Sequence, residues 1–127
     1  MLSALDPHTA RDTAWQPQAV FTRSIEAFAR PDLPLFQGSD ELDGFEAVAG
    51  RIDGVPFTIR AYPGFPEDTA QLFLDTALTD AERERTLAAI REAFGLGALE
   101  CPWQRGAVIG DGDGWRKRLQ AAADTQA

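Results

Sequence analysis

The chain has 127 residues, of which 44% are hydrophobic, and 20 acidic against 12 basic residues give it a formal charge of −8. This length suits one domain with a single core, and the longest apolar runs are too short to cross a bilayer as a helix. An acidic chain repels phosphate backbones, so we expect no direct nucleic-acid binding and favour a basic protein as partner.

The only cysteine is Cys101, so no disulfide can form within the chain. A single thiol and the absence of a stretch that resembles a signal peptide predict a cytoplasmic protein.

Residues 1–16 show little hydrophobic periodicity, which predicts a loosely ordered N-terminal segment ahead of one domain over residues 17–127. From Val20 to Phe28 apolar residues recur at helical spacing. Prolines at positions 17 and 31 suit the start and the end of a helix, so the pattern predicts a helix from Pro17 to about Arg30.

Proline and glycine punctuate residues 31–44, which indicates a connection between elements. Three acidic residues keep this connection solvated: Asp40, Glu41 and Asp43.

The strongest local signal is Asp53-Gly54, which lies between two β-compatible runs at residues 45–52 and 55–62. Both central residues of a two-residue type I′ turn need positive φ, and Asp-Gly suits that turn. Counting outward pairs Val48 with Ile59 and places five apolar side chains on one face, the predicted core side. The opposite face carries a cluster of Phe45, Arg60 and Tyr62, with Phe65 in the loop that follows.

A third strand is predicted at about residues 70–75. Thr79 and Glu82 have the spacing of a capping box, so a helix should begin there, and Gly95 is placed to end it. Residues 96–103 indicate a short strand or extended connection, residues 110–114 a turn, and residues 115–123 a final helix. This order predicts an α+β fold, in which an antiparallel three- to four-stranded sheet has helices packed mainly on one face.

Few residues have the chemistry of an active site. The pattern offers nothing to bring His8 near Cys101, which favours a structural cysteine. The run at 111–114 lacks the glutamate that ends a calcium loop, and the carboxylates beside the sheet are typical of solvated charges. We therefore predict no catalytic residue, no metal and no cofactor.

These features favour a small acidic, non-enzymatic protein that binds and blocks a protein partner. The profile of size and charge resembles that of immunity proteins, antitoxins and inhibitors. In this interpretation acidic residues speed association while aromatic residues and arginine anchor the complex. The predicted partner-binding residues are Asp40, Glu41, Asp43, Phe45, Arg60, Tyr62 and Phe65.

Two alternatives stay open. The order of elements also resembles the general layout of secretion chaperones, which dimerise, so both a monomer and a homodimer are possible. A small enzyme or ligand-binding domain could instead use carboxylates and Arg60 in a pocket between sheet and helix. A deep cavity with converging polar groups would mark this second alternative, whereas a flat acidic face with protruding aromatics would mark the binding protein.

Overall fold

Seven strands form one antiparallel sheet in the computed structural model, which describes residues 2–39, 44–66 and 68–105. In chain order the described elements are β1 (Leu2–Ala4), α1 (Pro7–Asp12), β2 (Trp15–Phe21), a 3₁₀ helix (Ile25–Phe28), β3 (Phe36–Ser39), β4 (Gly44–Ile52), β5 (Val55–Ala61), β6 (Ala70–Asp75), α2 (Asp80–Ala93), a 3₁₀ turn (Ala98–Glu100) and β7 (Trp103–Gln104).

The strand order in the sheet is β1-β4-β5-β6-β2-β7, with β3 also beside β4. β1 pairs with the end of β4, where Ala4 lies opposite Gly50, whereas β3 pairs with its beginning, where Phe36 lies opposite Ala47. β1 and β3 therefore share one edge of β4, one after the other.

The predicted hairpin is confirmed. β4 and β5 pair in the expected register, with Ile52 opposite Val55 and Val48 opposite Ile59. Asp53 and Gly54 have φ of 50° and 82°, as a type I′ turn requires. The third strand is also confirmed, since β6 spans Ala70–Asp75.

The predicted α+β architecture with a three- to four-stranded sheet is wrong. The described chain forms a seven-stranded sheet, and α2, with 14 residues, is its one long helix, since α1 has only six. The predicted helix from Pro17 to Arg30 is instead β2 followed by a 3₁₀ helix. Val20 and Phe21 are adjacent in β2 and both are buried, so the strand is covered on both faces. Such a strand lacks the alternation that marks a half-buried one, and its apolar spacing imitates a helix.

The N-terminal segment, expected to be loosely ordered, contributes β1 and α1. Asp6 caps α1 by accepting a hydrogen bond from the Thr9 N–H at 3.0 Å. A hydrogen bond from the Thr9 hydroxyl at 2.7 Å, together with the one from the N–H, lowers the pKa of Asp6. Trp15 Nε1 donates to the Ala10 carbonyl at 2.7 Å and so ties α1 to the start of β2.

The core lies between α2 and one face of the sheet. Leu87 and Ile90 of α2 belong to the same buried cluster as Val48, Ile59 and Leu72 of the sheet.

The predicted signals at the two ends of α2 are both confirmed. Thr79 and Glu82 form the capping box, and Gly95 has a φ of 65° just after the helix. The predicted turn at 110–114 and helix at 115–123 lie outside the described residues. No helix within the described ranges is long and apolar enough to span a membrane.

Candidate binding site

A cluster of aromatic rings around one arginine lies on the sheet face opposite the core. The guanidinium carbon of Arg60 lies 4.5 Å from the ring centroid of Phe45 and 4.3 Å from that of Phe73. The Phe45 and Tyr62 ring centroids are 5.3 Å apart, and those of Tyr62 and Phe65 are 6.2 Å apart. The structure therefore brings together all four aromatic and arginine residues that the sequence singled out.

Arg60 is held by neutral partners. Its Nε donates to Thr58 Oγ1 at 3.1 Å, and its Nη1 donates to the Tyr62 hydroxyl at 3.0 Å. Arg60 is only 9% exposed and Phe45 only 8%. Arg60 and Phe45 are thus recessed into the molecule, while Tyr62 and Phe65 are partly exposed.

A groove of about 1230 Å³ runs over this face, and we call it the sheet groove. Arg60, Thr58, Ala49, Phe45 and Phe73 of the sheet line it on one side. Two other segments complete the lining: the N-terminal segment, through residues that include Leu5, Arg11 and Trp15, and residues 32–39, through residues that include Asp32, Pro34 and Phe36. Arg60 therefore lies in a cavity between the sheet and α1, a helix that the sequence did not predict.

A glycine allows Phe45 to lie where it does. A Cβ added to Gly38 of β3 would come within 2.5 Å of the Phe45 ring. Gly38 is the residue that pairs with Phe45 across β3 and β4. The ring consequently packs against the bare backbone of β3 while it stacks on Arg60.

A second cavity, of about 670 Å³, lies at the Tyr62 end of the cluster. Phe45, Tyr62 and Phe65 line it together with the carboxylate residues Glu26, Glu46 and Asp68. Phe45 lines both cavities, so the aromatic cluster separates a mainly apolar groove from a smaller, more acidic one.

The acidic part of the predicted site, Asp40, Glu41 and Asp43, lies outside the described residues. Sequence reasoning also missed Phe73, Trp15 and Phe36, which line the sheet groove. The sequence does contain a signal for Phe73. Leu72 and Leu74 of β6 point to the core, so the residue between them must lie on the same face of the sheet as Arg60. Trp15 and Phe36 reach the groove through long-range pairing, for which the sequence gives no local sign.

The two residues with the most reactive side chains are not brought together as a pair. His8 Nδ1 lies 3.2 Å from Arg11 Nη2. Cys101 is buried in the core, its Sγ lies 3.5 Å from the Trp103 carbonyl, and burial raises the pKa of its thiol. Within the described ranges no group of three or more His, Cys, Asp or Glu residues is arranged to hold a metal ion.

Comparison of the chain with protein-family models, with curated proteins and with solved structures finds no match.

Proposed function

We propose that this chain is a non-enzymatic binding protein that holds and blocks a protein partner, and that the sheet groove receives a segment of that partner. The observation that carries the proposal is the groove itself, a large cavity with apolar walls beside a ring-stacked arginine. A cavity is what the ligand-binding alternative expects, but the size and the mainly apolar lining of this one favour a polypeptide segment over a small molecule.

The size of the groove is the first argument. Small-molecule sites enclose about 300–1,000 Å³, whereas the sheet groove has about 1230 Å³. Its walls contain Leu5, Trp15, Pro34 and Phe36, and Phe36 is 40% exposed. Recessed aromatic and apolar surface of this kind is typical of the centre of a protein interface.

The edge of the sheet is the second argument. β3 pairs with β4, and no other described strand pairs with it on its far side. Three of its four residues are exposed. An exposed edge offers unpaired backbone groups to an extended segment, and such a segment would lie directly beside the groove.

The charge of the chain indicates the kind of partner. A net charge of −8 attracts a basic protein and raises the rate of encounter, while buried contacts determine how long the complex lasts. The proposed partner is therefore basic overall and carries an apolar segment that enters the sheet groove.

Site-specific photocrosslinking in the cells that make the protein tests this proposal. A photoreactive amino acid replaces Phe36 at the groove, and in a matched control it replaces Glu84, which is exposed on α2 on the opposite side of the sheet. Both variants are first checked for an unchanged urea-unfolding midpoint. We expect the Phe36 position to give a discrete crosslinked product that contains a second, different polypeptide, and the Glu84 position to give much less of it.

Equal amounts of crosslinked product from the two positions would show that the partner does not bind preferentially at the groove. Crosslinking only to another copy of this chain, or to no polypeptide at all, would overturn the proposal.

A further inference from the structure

We infer that the segment held in the sheet groove presents an acidic side chain, which pairs with Arg60. This inference rests on the proposed function and adds the chemistry of the segment. It follows from the way in which the fold buries Arg60, from the donors that Arg60 has left over, and from its position along the groove.

Arg60 is a buried cation whose counter-charge is missing from the described chain. More than nine-tenths of the residue is buried, and its hydrogen-bond acceptors are the hydroxyl groups of Thr58 and Tyr62. Among residues 2–39, 44–66 and 68–105, no carboxylate lies within ion-pair distance of it. A buried charge is costly unless it is paired, and ring stacking with two hydroxyl groups offsets only part of that cost.

Arg23 shows how the same chain treats another arginine. Arg23 is more exposed than Arg60, yet it pairs with Glu100 at 2.8 Å and also donates to the Phe94 carbonyl. Arg60, the more buried of the two, has no such partner in the described residues. The contrast makes Arg60, and not Arg23, the arginine that is able to bind a carboxylate of a segment in the groove.

The geometry of Arg60 leaves it able to bind a carboxylate. Phe45 and Phe73 lie within cation–π distance of the guanidinium and help to hold it in place. Its Nε and Nη1 atoms are engaged, but its Nη2 atom donates to no acceptor among the described residues. Because Arg60 lines the sheet groove, a carboxylate in the groove can accept from it.

The position of Arg60 along the groove favours an acidic side chain over the carboxyl terminus of a chain. Phe45 lines the groove on one side of Arg60 along the strands, and Ala49 and Thr58 line it on the other. A segment can therefore continue in both directions past Arg60. A chain end would leave one of these two sides empty.

The inference also explains how an acidic protein could select among basic partners. Long-range attraction depends on net charge and acts on any basic protein. An acidic side chain within an apolar segment is a local feature that few such proteins share, and its pairing with a desolvated arginine supplies the specificity.

A titration of the full ¹⁵N-labelled chain with two matched peptides tests the inference. The probes are N-acetyl-Leu-Glu-Leu-amide and N-acetyl-Leu-Gln-Leu-amide, which differ only in charge. The Arg60 Nε–Hε signal and the backbone amides of Thr58 and Phe73 report on the groove. We expect the glutamate peptide to shift these signals and to bind about tenfold more tightly than the glutamine peptide, as a charged hydrogen bond requires.

Two variants locate the effect. Arg60→Gln should remove the difference between the peptides, whereas Arg85→Gln, at an exposed arginine on α2, should leave it unchanged. The comparison of the two peptides on the unaltered chain stands even if Arg60→Gln does not fold.

Equal affinity for the two peptides would overturn the inference and leave the proposed function intact. No shift of the Arg60 signal with the glutamate peptide at about 10 mM, a concentration at which even millimolar binding is visible, would also overturn it. The proposed function is judged separately, by photocrosslinking at Phe36.

Discussion

Replacing Gly50 with alanine should loosen the edge of the sheet on which the groove depends. Gly50 lies near the end of β4 and pairs with Ala4 of β1. A Cβ at this position would lie 2.9 Å from the Ser3 carbonyl oxygen, 2.9 Å from Leu33 Cδ2 and 3.0 Å from Phe57 Cζ. All three distances are shorter than an ordinary van der Waals contact of 3.4 Å or more, and the first of them is to backbone.

The size of the effect follows from these contacts. Overpacking a tight core site costs about 1–3 kcal/mol, while removing a glycine stabilises by about 0.4–1 kcal/mol through the unfolded chain. β1 can relieve the backbone contact only by moving away from β4. We therefore expect Gly50→Ala to lower the free energy of unfolding by about 1–2 kcal/mol, or the melting temperature by about 3–10 °C for a chain of this length.

Urea unfolding followed by circular dichroism measures this effect, and Gly64→Ala is the matched control. Nothing lies within 4 Å of a Cβ added to Gly64, so that variant should change the free energy of unfolding by less than about 0.5 kcal/mol or raise it slightly. If the two variants have the same stability, a glycine at position 50 is not needed for the close approach of β1 to β4, and the prediction is refuted.

The turn and the helix cap each give a further test by urea unfolding. Gly54→Val should lower the free energy of unfolding by about 1–3 kcal/mol because Gly54 has a φ of 82°. Gly54→Asn should lower it less, because asparagine tolerates positive φ. Equal losses of stability in the two variants would contradict the turn geometry. Thr79→Ala should cost about 1 kcal/mol at pH 7 through loss of the cap, and an unchanged midpoint would mean that the cap is not needed. Hydrogen bonds from Thr79 lower the pKa of Glu82. The ionised Glu82 therefore contributes fully to the free energy of unfolding above the ordinary glutamate pKa, and this contribution is lost as the pH falls through the lowered pKa.

The elements that the sequence predicts correctly are those whose cause is local. Asp53-Gly54 determines its own turn, and the register of β4 against β5 follows by counting outward from it. Thr79 and Glu82 satisfy each other's backbone across three residues. Neither signal needs information from elsewhere in the chain.

The errors arise where pairing partners lie far apart in sequence. β2 is a strand because it lies between β6 and β7, whose residues are more than 48 positions away. The apolar residues of β2 fill both faces of the sheet, so no period of two is visible in its sequence. A similar limit applies to β1, which is only three residues long and pairs with β4.

For the candidate site, too, the part with a local cause could be predicted and the part formed by long-range pairing could not. The alternation along β4 and β5 places Phe45, Arg60 and Tyr62 on one face, and the structure brings these residues into contact. The groove above them could not be predicted, because α1 and residues 32–39 come to that face through β1, Trp15 and β3.

The shared edge of β4 explains why the groove forms where it does. A single long edge strand would pair along the whole of β4, but here β1 covers its end and β3 its beginning. Each strand approaches closely at a glycine, since the contacts of Gly50 include β1 and those of Gly38 include the Phe45 ring. The chain can thus bring both the N-terminal segment and residues 32–39 over the same face, with Arg60 between them. Because both segments pair with the same edge of β4, a shift of either should change the width of the groove.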